Sequence, residues 1–236
     1  MYLSAMLAPL PVDFATACRQ AAAAGFAHVD VAAAVARPPQ NLEVLAETGL
    51  TVSGAVIGLS LPGRCTLDAD SLDARRSALA LLKQEVADAA QLGATRCCLR
   101  SAAGTAGLAA FAEACSLLAD FAGRRMVALC IEHVPASALP TAAATIDWIA
   151  QTGHPDLRLL LNLSHCAVAG EDPAGMIRRA GSRLGGIHVA AVDGLTEAIR
   201  VALRDTGYDG ALTLAWRAEG MRQVREEIER LLRTGA

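Results

Sequence analysis

Eight times along this chain a short apolar run is followed by a longer amphipathic one, and that alternation limits the fold more than any other feature. The apolar runs fall at 2–7, 28–33, 51–59, 96–102, 126–135, 157–165, 185–193 and 210–216. Near-continuous apolar runs suit strands covered on both faces, and strands that alternate with helices imply crossovers and a parallel sheet. Helices are expected over 12–24, 41–48, 72–92, 107–121, 141–152, 173 to about 180, 195–206 and 222–233. Gly25, Gly49 and Gly93 sit just past three of them, where a left-handed cap favours glycine. The segment 64–76 is the most polar of the first half and reads as a loop running into the third helix.

No linker or composition break interrupts the eight units, so residues 1–236 are expected to form one domain of class α/β, a single closed (β/α)8 barrel. An open doubly wound sheet would want a glycine-rich turn after its first strand, and MLAPLPVD takes that place. The chain is 53% hydrophobic but only 3% aromatic, so its core is built from Ala, Leu and Val. A formal charge of −3 supplies no basic field for phosphates, which sets nucleic acid aside as a partner. Lys83 is the only lysine and lies mid-helix, which argues against P-loop and Schiff-base chemistry. Seven cysteines without CxxC spacing suit a reducing cytoplasm better than a disulfide framework. No run reaches the ~18 apolar residues of a membrane span, and the N-terminus lacks the charged start and apolar core of a leader. The expectation is a cytoplasmic protein with a small-molecule substrate and no membrane partner. The Ala-rich helix faces at 74–90 and 108–122 suit sheet packing, and they suit contacts in a homo-oligomer as well.

Barrel chemistry sits where strands open into loops at their carboxyl ends. Three such ends carry polar side chains: Glu132 and His133 in MVALCIEHVP, Asn162 and His165 in LRLLLNLSHCAVAG, and His188 in LGGIHVAAVDG. Glu132 follows an unbroken apolar run, and an acid there needs a polar pocket or an arginine partner. His133, one residue on, should point to the opposite face and make a structural hydrogen bond. Asn162 keeps the shape of an aspartate without its charge and both donates and accepts. Asp30, on the second strand, reads either as a substrate contact or as a solvated loop acid. Trp216 and Arg217, past the eighth strand, either stack on and clamp a polar ligand or face solvent.

In their order and spacing these stretches resemble the xylose isomerase-like TIM barrels, the sugar phosphate isomerase/epimerase superfamily. The likeness covers nearly the whole chain: AGFAHVDVA at 24–32, LCIEHVP at 129–135, LLLNLSHCAVAGED at 159–172, IHVAAVDG at 187–194 and TGYDGALTLAW at 206–216. It implies a metal site of Glu, Asp, His and Glu on the fifth to eighth strands. Glu132 and His188 match the first and third ligands, Asn162 stands in the second place, and Ala215 in the fourth. The resemblance thus implies catalytic roles for Glu132, His165 and His188, and substrate contacts at Asp30, Asn162, Trp216 and Arg217. Its metal ligands reduce to Glu132 and His188, an incomplete set.

Three carboxylates and an imidazole neutralise a dication, whereas Glu132, Asn162 and His188 leave the site positive. A divalent cofactor, Zn or Mn, is therefore expected to be weakly bound or absent. Asp193 and Glu219 are the nearest substitute acids in sequence. The implied function is an isomerase or epimerase acting on a small polyhydroxylated or keto compound by proton transfer next to a carbonyl. The alternatives are a metal-free lyase or dehydratase of the same superfamily, and a catalytically silent barrel that binds a metabolite or a partner.

Overall fold

A computed structural model describes residues 1–8, 12–63, 65–215 and 220–233, with Asp193 described by its backbone alone. Trp216, Arg217 and Glu219, three of the residues singled out in the sequence, lie outside the described residues. Strands β1 (Tyr2–Leu7), β2 (His28–Ala32), β3 (Thr51–Val56), β4 (Arg96–Arg100), β5 (Ala128–Glu132), β6 (Leu157–Asn162), β7 (Leu184–Val189) and β8 (Ala211–Ala215) form a closed barrel in chain order. Every neighbouring pair is parallel, and β8 closes on β1 with Ala215 opposite Met6. Around the strands run α1 (Phe14–Ala23), α2 (Ala33–Ala36), α3 (Pro39–Thr48), α4 (Leu72–Gln91), α5 (Leu108–Gly123), α6 (Ala142–Thr152), α7 (Leu163–Ala169), α8 (Pro173–Ala180), α9 (Glu197–Asp205) and α10 (Met221–Arg233).

Local chemistry sets most of the ends. Asp13 accepts from the Thr16 amide at 2.9 Å, so α1 starts at Phe14 rather than at Val12. Gly49 and Gly153 take left-handed conformations that close α3 and α6. Strands three to seven stop sooner than their apolar runs, at Val56, Arg100, Glu132, Asn162 and Val189, because each run continues into the rim of the barrel. The helices α2 and α7 are the unexpected elements. At four and seven residues they are too short for a 3.6-residue period to show in the sequence.

Alternate strand residues face opposite ways and feed two cores. Outward side chains such as Val29, Val31, Leu129, Ile131, Leu159, Leu161 and Ile187 are fully buried against the helices. Each such side chain contributes roughly 1.5–3 kcal/mol by its burial. Inside the barrel, Cys98, Cys130 and Leu160 pack with Val56 and Ala128 into a separate small cluster.

The stretch Thr105–Gly123 is long and apolar enough to cross a membrane by length and composition, contrary to the expectation that no run would be. In the fold, α5 lays Phe111, Ala114, Cys115, Leu118, Ala119 and Ala122 into the barrel–helix core.

Elsewhere the barrel interior holds a polar cluster. Arg96 and Asp30 form an ion pair at 2.5 Å, and Ser4, Ser53 and Thr213 donate to the same carboxylate at 2.7–3.0 Å. Burial pushes the Asp30 pKa up, but the Arg96 charge and the serine hydroxyls outweigh it and hold the group below the usual carboxylate range. A side chain at Gly54 would put its Cβ 2.8 Å from Asp30 Oδ2, which explains a glycine in the middle of β3.

Candidate active site

Registers bring the carboxyl ends of β4 to β7 to one level of the barrel mouth. Arg100 pairs with Glu132 across β4 and β5, and Asn162 with His188 across β6 and β7. Glu132 is buried and lies at the centre of the group. Its Oε1 accepts from Asn162 Nδ2 at 2.8 Å, and it lies 3.5 Å from His188 Nδ1 and 3.9 Å from His165 Nδ1. Its Oε2 lies 3.8 Å from Nε of Arg100, an exposed side chain. Burial alone would raise the pKa of Glu132. The hydrogen bond and charge of His188, followed by the Asn162 amide and the charge of His165, win and hold it down to about 2.

Asn162 is shared between two tasks. Its Oδ1 accepts from the amides of Ser164 at 3.1 Å and His165 at 3.3 Å, so it caps the N-terminus of α7. With the carbonyl oxygen so engaged, the NH2 faces Glu132. His165 therefore sits on a helix and not in the loop its sequence position suggested. Its Nδ1 donates to the carbonyl of His133 at 2.7 Å, which leaves Nε2 without the proton in the neutral ring. His133 points to the other face of β5, where it is buried and accepts from the Asn162 amide through Nε2 at 3.1 Å. Burial first, and then the charge of His165, lower the His133 pKa to about 4. The other nitrogen of His188, Nε2, is buried with no hydrogen-bond partner among the described residues.

Glu132, Asn162, His165 and His188 thus come together. Asp30 does not join them at the mouth. It is not the solvated acid that one reading of the sequence allowed, because the carboxylate is fully buried inside the barrel and bonded by Arg96, Ser4, Ser53 and Thr213. Arg100 is the mouth residue that strand-by-strand reading missed. The signal was present, since RCCLRSA ends on an arginine at the position where its neighbour ends on Glu132.

Ala215 shares a face with Thr213, whose hydroxyl points into the barrel, and so presents a methyl group where the fourth ligand was expected. Among the described residues, two sets of three potential metal donors each have their ligand atoms within 4.8 Å of one another: Asp30, Cys98 and His188, and His133, Cys166 and Glu171. In the first, both oxygens of Asp30 already accept from the Arg96 guanidinium. In the second, Glu171 accepts from the amides of Ala142 and Ala143 at 2.8 Å each, and burial raises the Cys166 thiol to about 12.

The barrel superposes on several solved structures. One is a D-psicose 3-epimerase in the presence of D-fructose, with TM-score 0.80 and 21% identity over 97% of this chain and 89% of that one. Another is a 3-keto-D-glucoside 4-epimerase from E. coli, with TM-score 0.79 and 18% identity over 99% of each chain. A third is a xylose isomerase-like TIM barrel protein from Mycobacterium smegmatis in complex with magnesium, with TM-score 0.75 and 18% identity over 98% of this chain and 95% of that one. At these identities the likeness is one of fold. No curated protein matches the chain. The family model described as xylose isomerase-like TIM barrel matches residues 18–234, and the chain belongs to that family.

Proposed function

We propose that this protein is an isomerase or epimerase of the sugar type, acting on a small polyhydroxylated or keto compound by moving a proton next to a carbonyl without a bound metal. The observation that carries the reading is the convergence of Glu132, His165 and His188 at one end of the barrel, within 3.9 Å of one carboxylate oxygen. Two of the barrels it resembles act on sugars, as a D-psicose 3-epimerase and a 3-keto-D-glucoside 4-epimerase.

The residues at the mouth do not fit the divalent metal that the resemblance implies. A hard dication needs several oxygen donors. Here Ala215 offers none, and the Asn162 oxygen caps α7 while its NH2 faces Glu132. One carboxylate and one imidazole remain, already 3.5 Å apart. No step is therefore assigned to a metal.

The roles follow from where each nitrogen and oxygen points. A carboxylate held to a pKa of about 2 is a poor base near neutral pH and a good acceptor for a substrate hydroxyl. His188 and Asn162 hold it in that state. The unprotonated Nε2 of His165 is the base, with Nδ1 fixed by the His133 carbonyl. Arg100, exposed beside Glu132, supplies the positive charge that stabilises an enediolate as the proton leaves.

Deuterium uptake from heavy water into a ketose panel that includes D-fructose and D-tagatose, followed by NMR, tests this reading. Exchange should persist after chelation and fall by about 10²–10⁴ in His165→Ala. Full exchange in His165→Ala and Glu132→Gln alike would sink it. Binding without any exchange would favour the catalytically silent barrel.

A further inference from the structure

Beside the polar mouth lies a cavity of about 370 Å³ under the carboxyl ends of β1, β2 and β3, within the size range of small-molecule sites. Its wall is apolar, formed by Leu7, Val12, Phe14, Val35, Val56 and Leu59 among others. Three of these, Val12 at 38%, Val35 at 48% and Leu59 at 44%, are among the exposed large hydrophobic residues of the protein, and they gather at this one rim. The polar groups in the wall are already spent. Glu85 accepts from the Gly58 amide and from the Ser60 hydroxyl, each at 2.6 Å. Water in such a cavity finds few partners, so an apolar group displaces it favourably.

Two chains of contacts run from the cavity toward the mouth. Leu59 also lines a neighbouring cavity of about 350 Å³ that includes Arg100, and Arg100 reaches Glu132 at 3.8 Å. From inside, Val56 packs with Cys98, Cys130 and Leu160, and Leu160 pairs with Glu132 across β5 and β6. Val56 and Leu59 are thus the wall residues of the cavity that lie nearest, through Leu160 and Arg100, to Glu132.

We propose that the substrate is amphipathic: a hydroxylated or keto head bound at Glu132, His165 and Arg100, carrying an alkyl or aryl substituent that fills the Val35–Val56–Leu59 cavity. The inference rests on the proposed function for its head and goes beyond it for the tail. A free sugar would leave the cavity wet, whereas a glycoside or other substituted derivative fills it.

Calorimetric titration with methyl, butyl, hexyl and octyl β-D-glucosides, each below its micellar concentration, tests the idea on the intact protein. Affinity should climb with chain length, by up to roughly fourfold per methylene where the group is fully buried. Leu59→Asp, at an exposed position that folding tolerates, should flatten the series. Glu132→Gln should weaken every member by a similar factor and leave the slope intact.

A flat series in the wild type, with Glu132→Gln still weakening binding, would overturn the amphipathic substrate and leave the proposed function standing. A slope that Leu59→Asp does not change would overturn it too, since the tail would then lie elsewhere. A slope that Leu59→Asp abolishes but with Glu132→Gln without effect would separate cavity from mouth and overturn both. No binding by any member, methyl included, would overturn the amphipathic substrate, and exchange into the ketose panel would still decide the proposed function by itself.

Discussion

His133 and Glu132 are sequence neighbours whose burial sets them opposite acid–base problems. His133 is buried neutral, and its pKa falls from 6.5 to about 4. The unfolded chain therefore takes up a proton before the folded one does. The stability that depends on a neutral His133 is fully present above pH 6.5 and is lost as pH falls toward 4, by about 3 kcal/mol in all. Glu132, depressed from 4.5 to about 2, contributes above pH 4.5 and loses its contribution as pH falls through 2. Urea unfolding between pH 7 and 3 should show the first of these losses, and His133→Gln, which keeps an acceptor for the Asn162 amide, should remove its slope. An unchanged slope in that variant would assign the loss to other groups. The alternation of a strand was enough to turn His133 away from the mouth. Which backbone amide it would meet, 29 residues further on, was not written in its neighbours.

At the scale of elements, α7 shows how a seven-residue helix can organise a site. Its cap is Asn162, the last residue of β6, so one side chain both starts the helix that carries His165 and orients Glu132. Asn162→Ala should cost about 1–2 kcal/mol through the lost cap, with α7 amides losing hydrogen-exchange protection. Asn162→Asp keeps a capping oxygen and sets a second carboxylate beside Glu132, so protection of α7 should persist while the Glu132 titration moves upward. If both variants leave α7 protected, the cap carries none of the helix. The helix hid within the sequence because seven residues are too few for a 3.6-residue period to show.

For the whole molecule, the barrel is closed by pairings of backbone and fastened inside by one ion pair. Asp30 on β2 and Arg96 on β4 draw in Ser4 on β1, Ser53 on β3 and Thr213 on β8, so five strands share one cluster. Arg96→Met leaves Asp30 buried and unpaired and should destabilise the fold by about 3–5 kcal/mol in urea. Asp30→Leu combined with Arg96→Met should recover much of that loss, because the uncompensated charge is gone. A double variant as unstable as the single one would mean that the hydroxyl network, not the charge pair, holds the interior.

What the sequence by itself determined is the part of the protein that repeats. Strands read as apolar runs, helices as 3.6-residue periods and caps as glycines, and all three are properties of neighbours along the chain. Their eightfold alternation sufficed for a closed parallel barrel, and with it for the end at which Glu132, Asn162, His165 and His188 meet. Only the tertiary structure decided what each polar atom touches. It sent Asp30 inward to an arginine 66 residues away, turned the Asn162 oxygen to a helix and its nitrogen to Glu132, and gathered Val12, Val35 and Leu59 around one cavity. Those partners are chosen by distance across the barrel, and a buried polar group takes whichever donor or acceptor the closed sheet brings within about 3 Å.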